Sequence, residues 1–135
     1  MKDTLQQGLT TTQRIDIDRA RTIDIMGDDA RVYSTPALLE DIEITCRALM
    51  LENLDPGEDS VGTRIELDHM AATLEGMWIE ITVTLTALDG RAATFDIAAR
   101  DAIDDVARGR HNRFVVDVEK TKGRLAAKAA KAKAG

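Results

Sequence analysis

Residues 77–102, MWIEITVTLTALDGRAATFDIAARDA, leave few choices of backbone. From Met77 to Leu88, Ile79, Ile81, Val83 and Leu85 fall on one side, with Glu80, Thr82, Thr84 and Thr86 on the other. Strand side chains alternate between two faces, so this is the pattern of a strand with one dry and one wet face. Asp89-Gly90 is a hairpin turn signal, and Arg91 to Ala102 returns alongside. A sheet of this kind has an apolar face that something else must cover.

The cover is in residues 34–60, STPALLEDIEITCRALMLENLDPGEDS. Ser34 or Thr35 can cap a helix, and Pro36 suits its first turn. Glu40 and Asp41 place negative charge early in it. Leu38, Leu39, Ile42, Cys46, Leu49 and Met50 form a broad apolar stripe at three- and four-residue spacing. The helix is expected to end near Asn53, where Asp55-Pro56-Gly57 stops it, after roughly 25 Å.

Further strands are expected in TQRIDIDRARTIDIM, residues 12–26, with a break near Arg19-Ala20, in Val61 to Met70, and in RFVVDVE at the end of residues 104–119. GDDARVY, residues 27–33, reads as a loop. One strand, one long helix and a run of hairpin-linked strands make an α+β domain with a mainly antiparallel sheet wrapped on the helix. The domain is assigned to residues 12–119. Residues 1–11 are polar and expected to be frayed. The Ala/Lys-rich residues 120–135 lack an apolar stripe and are expected to form a solvated, partly helical tail.

Composition removes several functions. The 135-residue chain has a formal net charge of -6, which repels phosphate backbones, and 3% aromatic residues, too few for stacking on single-stranded nucleic acid. Its single cysteine, Cys46, lies in the helix stripe, can form no internal disulfide and reads as a buried hydrophobe. No metal pattern is present. There is no apolar run of about 20 residues to span a membrane, and MKDTLQQGLTTTQ lacks the apolar core of a secretory signal, so a cytoplasmic location is expected.

The residues left to carry chemistry are Thr35 at the helix start, Glu43 in mid-helix, and His69, where the alternation of the third strand gives way to Met70-Ala71-Ala72-Thr73. Each has a plain structural reading: a helix cap, a solvated helix-face carboxylate and a satisfied structural histidine. Periodicity alone does not choose between those and a reactive set.

Taken together, STPALLEDIE, SVGTRIELDHMAAT and GRHNRFVVD resemble the fluoroacetyl-CoA thioesterase-like family, a branch of the hot-dog-fold acyl-CoA thioesterases, over about Val32 to Asp117. The resemblance rests on Thr35-Pro36, on Glu43 eight residues after Thr35, on Val61-Gly62-Thr63, on His69 before small residues, and on Gly109, His111 and Arg113. It implies the hot-dog architecture, a long central helix wrapped by a curved antiparallel sheet, in a homodimer with active sites at the interface and with tetramers as a further option. It implies an acyl-CoA substrate with no other cofactor. Thr35, Glu43 and His69 become the catalytic set, and Gly62 a backbone donor to the thioester oxygen. Arg113 is either a CoA phosphate ligand or half of a structural ion pair. Eight helical residues span about 12 Å, so either Thr35 lies off the helix axis, at the cap, or the set is assembled across the interface, which is the arrangement expected here. The non-catalytic alternative is a hot-dog module that binds an acyl-CoA or a related small molecule. There is no Phe before Phe95, so an aromatic lid over a small fluorinated acyl group is not implied.

Overall fold

A computed structural model describes all residues, Met1–Gly135. Strand β1 (Thr10–Asp16) leads through a short turn of 3-10 helix to β2 (Thr22–Ile23), which pairs with β3 (Val32–Tyr33). Helix α1 (Thr35–Leu51) follows, then β4 (Glu58–His69), β5 (Trp78–Asp89), β6 (Ala92–Asp101), β7 (Asp105–Asp117) and helix α2 (Val118–Ala134). The main sheet has the order β1-β5-β6-β7-β4 and every pair in it is antiparallel.

The alternation in β5 appears as read: Ile79, Ile81, Val83 and Leu85 are fully buried, and the intervening residues are half-buried. On β6, Ala93, Phe95, Ile97 and Ala99 continue that face. Leu38, Ile42, Cys46, Leu49 and Met50 of α1 close against it to complete the core. Cys46 is inside this layer, where burial pushes its thiol up to about 12. Bulges between Leu85 and Ala87 and between Gly62 and Arg64 bend the long strands around the helix.

One sequence expectation appears as read and one differs. The break expected near Arg19-Ala20 divides residues 12–26 into β1 and the two-residue β2, because Asp18 caps the turn of 3-10 helix at Arg19–Arg21 and redirects the chain. Residues 1–11, expected to be frayed, are seated on the body. Leu5 is buried in the core, Lys2 N–H donates to the Asn53 carbonyl, Gly8 N–H donates to the Leu85 carbonyl, and β1 starts at Thr10. The tail forms α2 with no buried residue. No helix is long and apolar enough to cross a membrane.

Candidate active site

Helix α1 begins with two adjacent hydroxyls. Ser34 is the N-cap, its Oγ accepting from the Ala37 N–H at 3.2 Å, and Pro36 follows in the first turn. With the cap supplied by Ser34, Thr35 Oγ1 is free for another partner and lies 2.8 Å from His69 Nδ1. His69 is the last residue of β4, where the strand leaves the sheet. Its other nitrogen, Nε2, is buried with no hydrogen-bond partner. Burial, the largest cause, lowers the imidazole from its ordinary 6.5, and the Ala71 backbone acts the other way. The ring is therefore neutral near pH 7 and able to accept a proton.

Tyr33 stands edge-on to His69, ring centroids 6.4 Å apart at 77°. Its hydroxyl donates to Asp41 Oδ2 at 2.5 Å, and Arg21 Nε donates to the same oxygen at 3.0 Å. Asp41 is 6% exposed, so its charge is held by these two donors rather than by water. Tyr33, Thr35 and His69 share the wall of an open cavity of about 410 Å³ with Ile23, Val32 and Met70.

A second polar cluster lies farther along α1. Glu43 Oε2 accepts from Arg113 Nη1 at 3.1 Å, while Oε1 has no partner within the chain. Arg113 is 3% exposed, and its remaining donors go to Ser60: Nε to Oγ and Nη2 to the carbonyl, each at 2.8 Å. His111 fixes the arrangement. Its Nδ1 faces the Arg64 carbonyl at 2.9 Å and must donate there, so Nε2 is the acceptor facing Arg113 Nη1 at 3.2 Å. Of the two roles open to Arg113, burial and four bonded N–H groups favour the ion pair with Glu43. Gly62 borders the cluster, and a Cβ there would stand 2.6 Å from Glu43 Oε2. The space that Gly62 leaves is thus taken by the Glu43 carboxylate.

The structure brings Thr35 and His69 together, and separately Glu43, Gly62 and Arg113. No hydrogen bond joins the two groups within one chain. Sequence reasoning missed Ser60, Tyr33, Asp41 and Arg21. It quoted His111 without a role, although the signal was present: Gly109, His111 and Arg113 occupy the phase of β7 that ends at buried Val115, where apolar residues are expected.

A central helix inside a five-stranded antiparallel sheet defines the hot-dog class. Similar solved structures include that of the fluoroacetyl-CoA thioesterase FlK, 27% identical with a TM-score of 0.85 over 93% of this chain and 98% of that one. A hot-dog-like protein from Thermanaerovibrio acidaminovorans shares the fold with a TM-score of 0.82 at 23% identity, over 90% of this chain and 91% of that one. Residues 17–119 match the family described as FlK, fluoroacetyl-CoA-specific thioesterase, and the chain belongs to that family. The fluoroacetyl-CoA thioesterase of Streptantibioticus cattleyicolor is 35% identical over 89 residues, 66% of this chain. That stretch spans 64% of the curated relative's length.

Proposed function

We propose that the chain hydrolyses an acyl-CoA thioester to the free acid and CoA, as a homodimer whose active site combines Thr35 and His69 of one subunit with Glu43 and Gly62 of the other. The observation that carries this reading is the Thr35–His69 hydrogen bond at the cavity wall, with the remaining imidazole nitrogen buried and unpaired. A hydroxyl bonded to a neutral imidazole is the minimum set for nucleophilic attack on a thioester.

In this mechanism the Thr35 O–H donates to His69 Nδ1. As Oγ1 attacks the thioester carbonyl, the proton moves to the imidazole. The oxyanion is received by the Gly62 backbone N–H of the partner subunit. Collapse expels the CoA thiolate, which takes the proton back. Glu43 of the partner subunit, with Oε1 unengaged, then activates the water that releases the acid and restores Thr35. CoA enters and leaves as part of the substrate, and no other cofactor is required. The reading carries with it a cytoplasmic location, the compartment of CoA esters.

The dimer supplies the geometry. β4 is an edge strand, open on its outer side. If it pairs with itself antiparallel about a two-fold axis between Ile65 and Glu66, Gly62 of one strand faces His69 of the other. Both residues lie on the helix side of the sheet, so Glu43, above Gly62, is carried towards the Thr35–His69 pair.

The test is free-thiol release from a panel of acyl-CoAs. Release is expected from the unmodified protein and should fall by at least about 1,000-fold in His69→Ala and Glu43→Ala, both still folded dimers. Release that persists in His69→Ala would defeat the catalytic assignment. A folded dimer that binds acyl-CoA without releasing thiol would be a binding module.

A further inference from the structure

The wall of the Thr35–His69 cavity is distinctive in its chemistry. Seven of its eleven lining residues are hydrophobic, among them Ile23, Ile25, Val32, Met70 and Ala72, and none is charged. Two of its four polar side chains are committed. Ser34 Oγ caps α1, and the Tyr33 hydroxyl is held by Asp41. Thr35 and His69 alone remain to meet a ligand. Ile23, Ile25 and Met70 are 40%, 72% and 45% exposed, so the apolar wall continues to the rim. A volume of about 410 Å³ lies within the usual range of small-molecule sites, which is roughly 300–1,000 Å³.

We infer that this cavity receives the acyl group, and that the preferred acyl group is an uncharged hydrocarbon chain longer than acetyl. The inference rests on the thioesterase reading, since the reactive pair in the wall is what places the acyl carbon there. A dicarboxylic acyl group would bring a carboxylate into a cavity with no cation to meet it, at a large desolvation penalty. An acetyl-sized group would leave most of the apolar wall in contact with water. Each further methylene removes more of that wall from water and should raise affinity by about fourfold until the cavity is filled. Ala71 and Ala72, following His69, keep the wall beside the imidazole thin enough for the chain to pass.

Two measurements test this. The first is kcat/KM of the unmodified protein for acetyl-, fluoroacetyl-, butyryl-, hexanoyl- and succinyl-CoA. The second is the Kd of the same esters for the folded His69→Ala dimer by titration calorimetry. Hexanoyl-CoA, four methylenes longer, is expected to exceed acetyl-CoA by about 250-fold in either, with succinyl-CoA weakest. Ile23→Ser, at the cavity wall, should flatten the chain-length gradient. Preference for fluoroacetyl- or succinyl-CoA, equal use of all five, or a gradient unchanged in Ile23→Ser would overturn the inference while leaving thioester hydrolysis in place. Tightest binding of hexanoyl-CoA without thiol release from any ester would instead sink hydrolysis and keep the cavity's chain preference.

Discussion

At the scale of single residues, two glycines separate function from fold. A Cβ at Gly62 would stand 2.6 Å from Glu43 Oε2, the movable end of a side chain. Gly62→Ala should therefore fold, at a cost of about 1–3 kcal/mol, while turnover falls by about 100-fold because Glu43 is displaced. At Gly109 the same atom would lie 2.0 Å from the Glu66 carbonyl oxygen and 3.0 Å from Leu67 Cα, which are backbone. Gly109→Ala must pry β7 from β4 and should cost more than Gly62→Ala. Urea unfolding of both variants checks the order. His111 makes a pH prediction. Burial, the largest cause, lowers its pKa from 6.5, with Arg113 adding to it and the Arg64 carbonyl opposing it. A group whose folded pKa is depressed contributes stability that is present above its unfolded pKa and lost as pH falls through the folded one. Unfolding free energy should thus hold above about pH 7 and decline on the acid side. His111→Gln should make that decline shallower, at a cost of about 1–3 kcal/mol at pH 7.5. An unchanged slope would mean that His111 is not the titrating group.

Secondary-structure elements show a division of labour at the start of α1. Ser34 holds the helix and Thr35 holds His69, so the two adjacent substitutions should give opposite profiles. Ser34→Ala is expected to cost about 1 kcal/mol in thermal unfolding and to leave most turnover. Thr35→Ala keeps the cap, should change stability by less than about 0.5 kcal/mol, and should lose turnover. Equal losses of stability would place the cap on Thr35 after all. The elements themselves were legible because each has a strict period: two in β5, between three and four in α1. What lacked a period was lost. Leu5 is one apolar residue among polar ones, and nothing local says that it reaches the core. Tyr33, Asp41 and Arg21 read as a loop aromatic, an early-helix acid and a strand cation, because their meeting depends on how β2 and β3 fold over α1. The bulge between Gly62 and Arg64 has no mark in composition either, yet it keeps Gly62 and His69 on the same face of β4. The resemblance located Thr35, Glu43 and His69, and helix rise already separated Thr35 from Glu43; the partners of each, Ser60 and His111 beside Arg113 among them, needed coordinates.

For the whole molecule, the proposed cross-subunit site would make quaternary structure a kinetic variable. Mixed and refolded, His69→Ala and Glu43→Ala chains should regain about a quarter of the unmodified activity. Half of the dimers would be hybrids, and each hybrid would hold one intact site made from the good half of each chain. A mixture as inert as its parents would place the complete site within one subunit. The edge strand β4 bears on this as well. An unpaired 12-residue edge invites adventitious pairing, and self-pairing about a two-fold axis removes that hazard.

Helix α2 has 17 residues, none of them buried. At the ordinary rise per residue it is about 25 Å long, like a handle on the body. Such a shape drags through solvent as a larger sphere would. In a dimer, two handles inflate the apparent size further, so a column calibrated with globular standards would report an oligomer heavier than the real one. The true stoichiometry would emerge from light scattering or sedimentation equilibrium, which weigh the particle without reference to its outline.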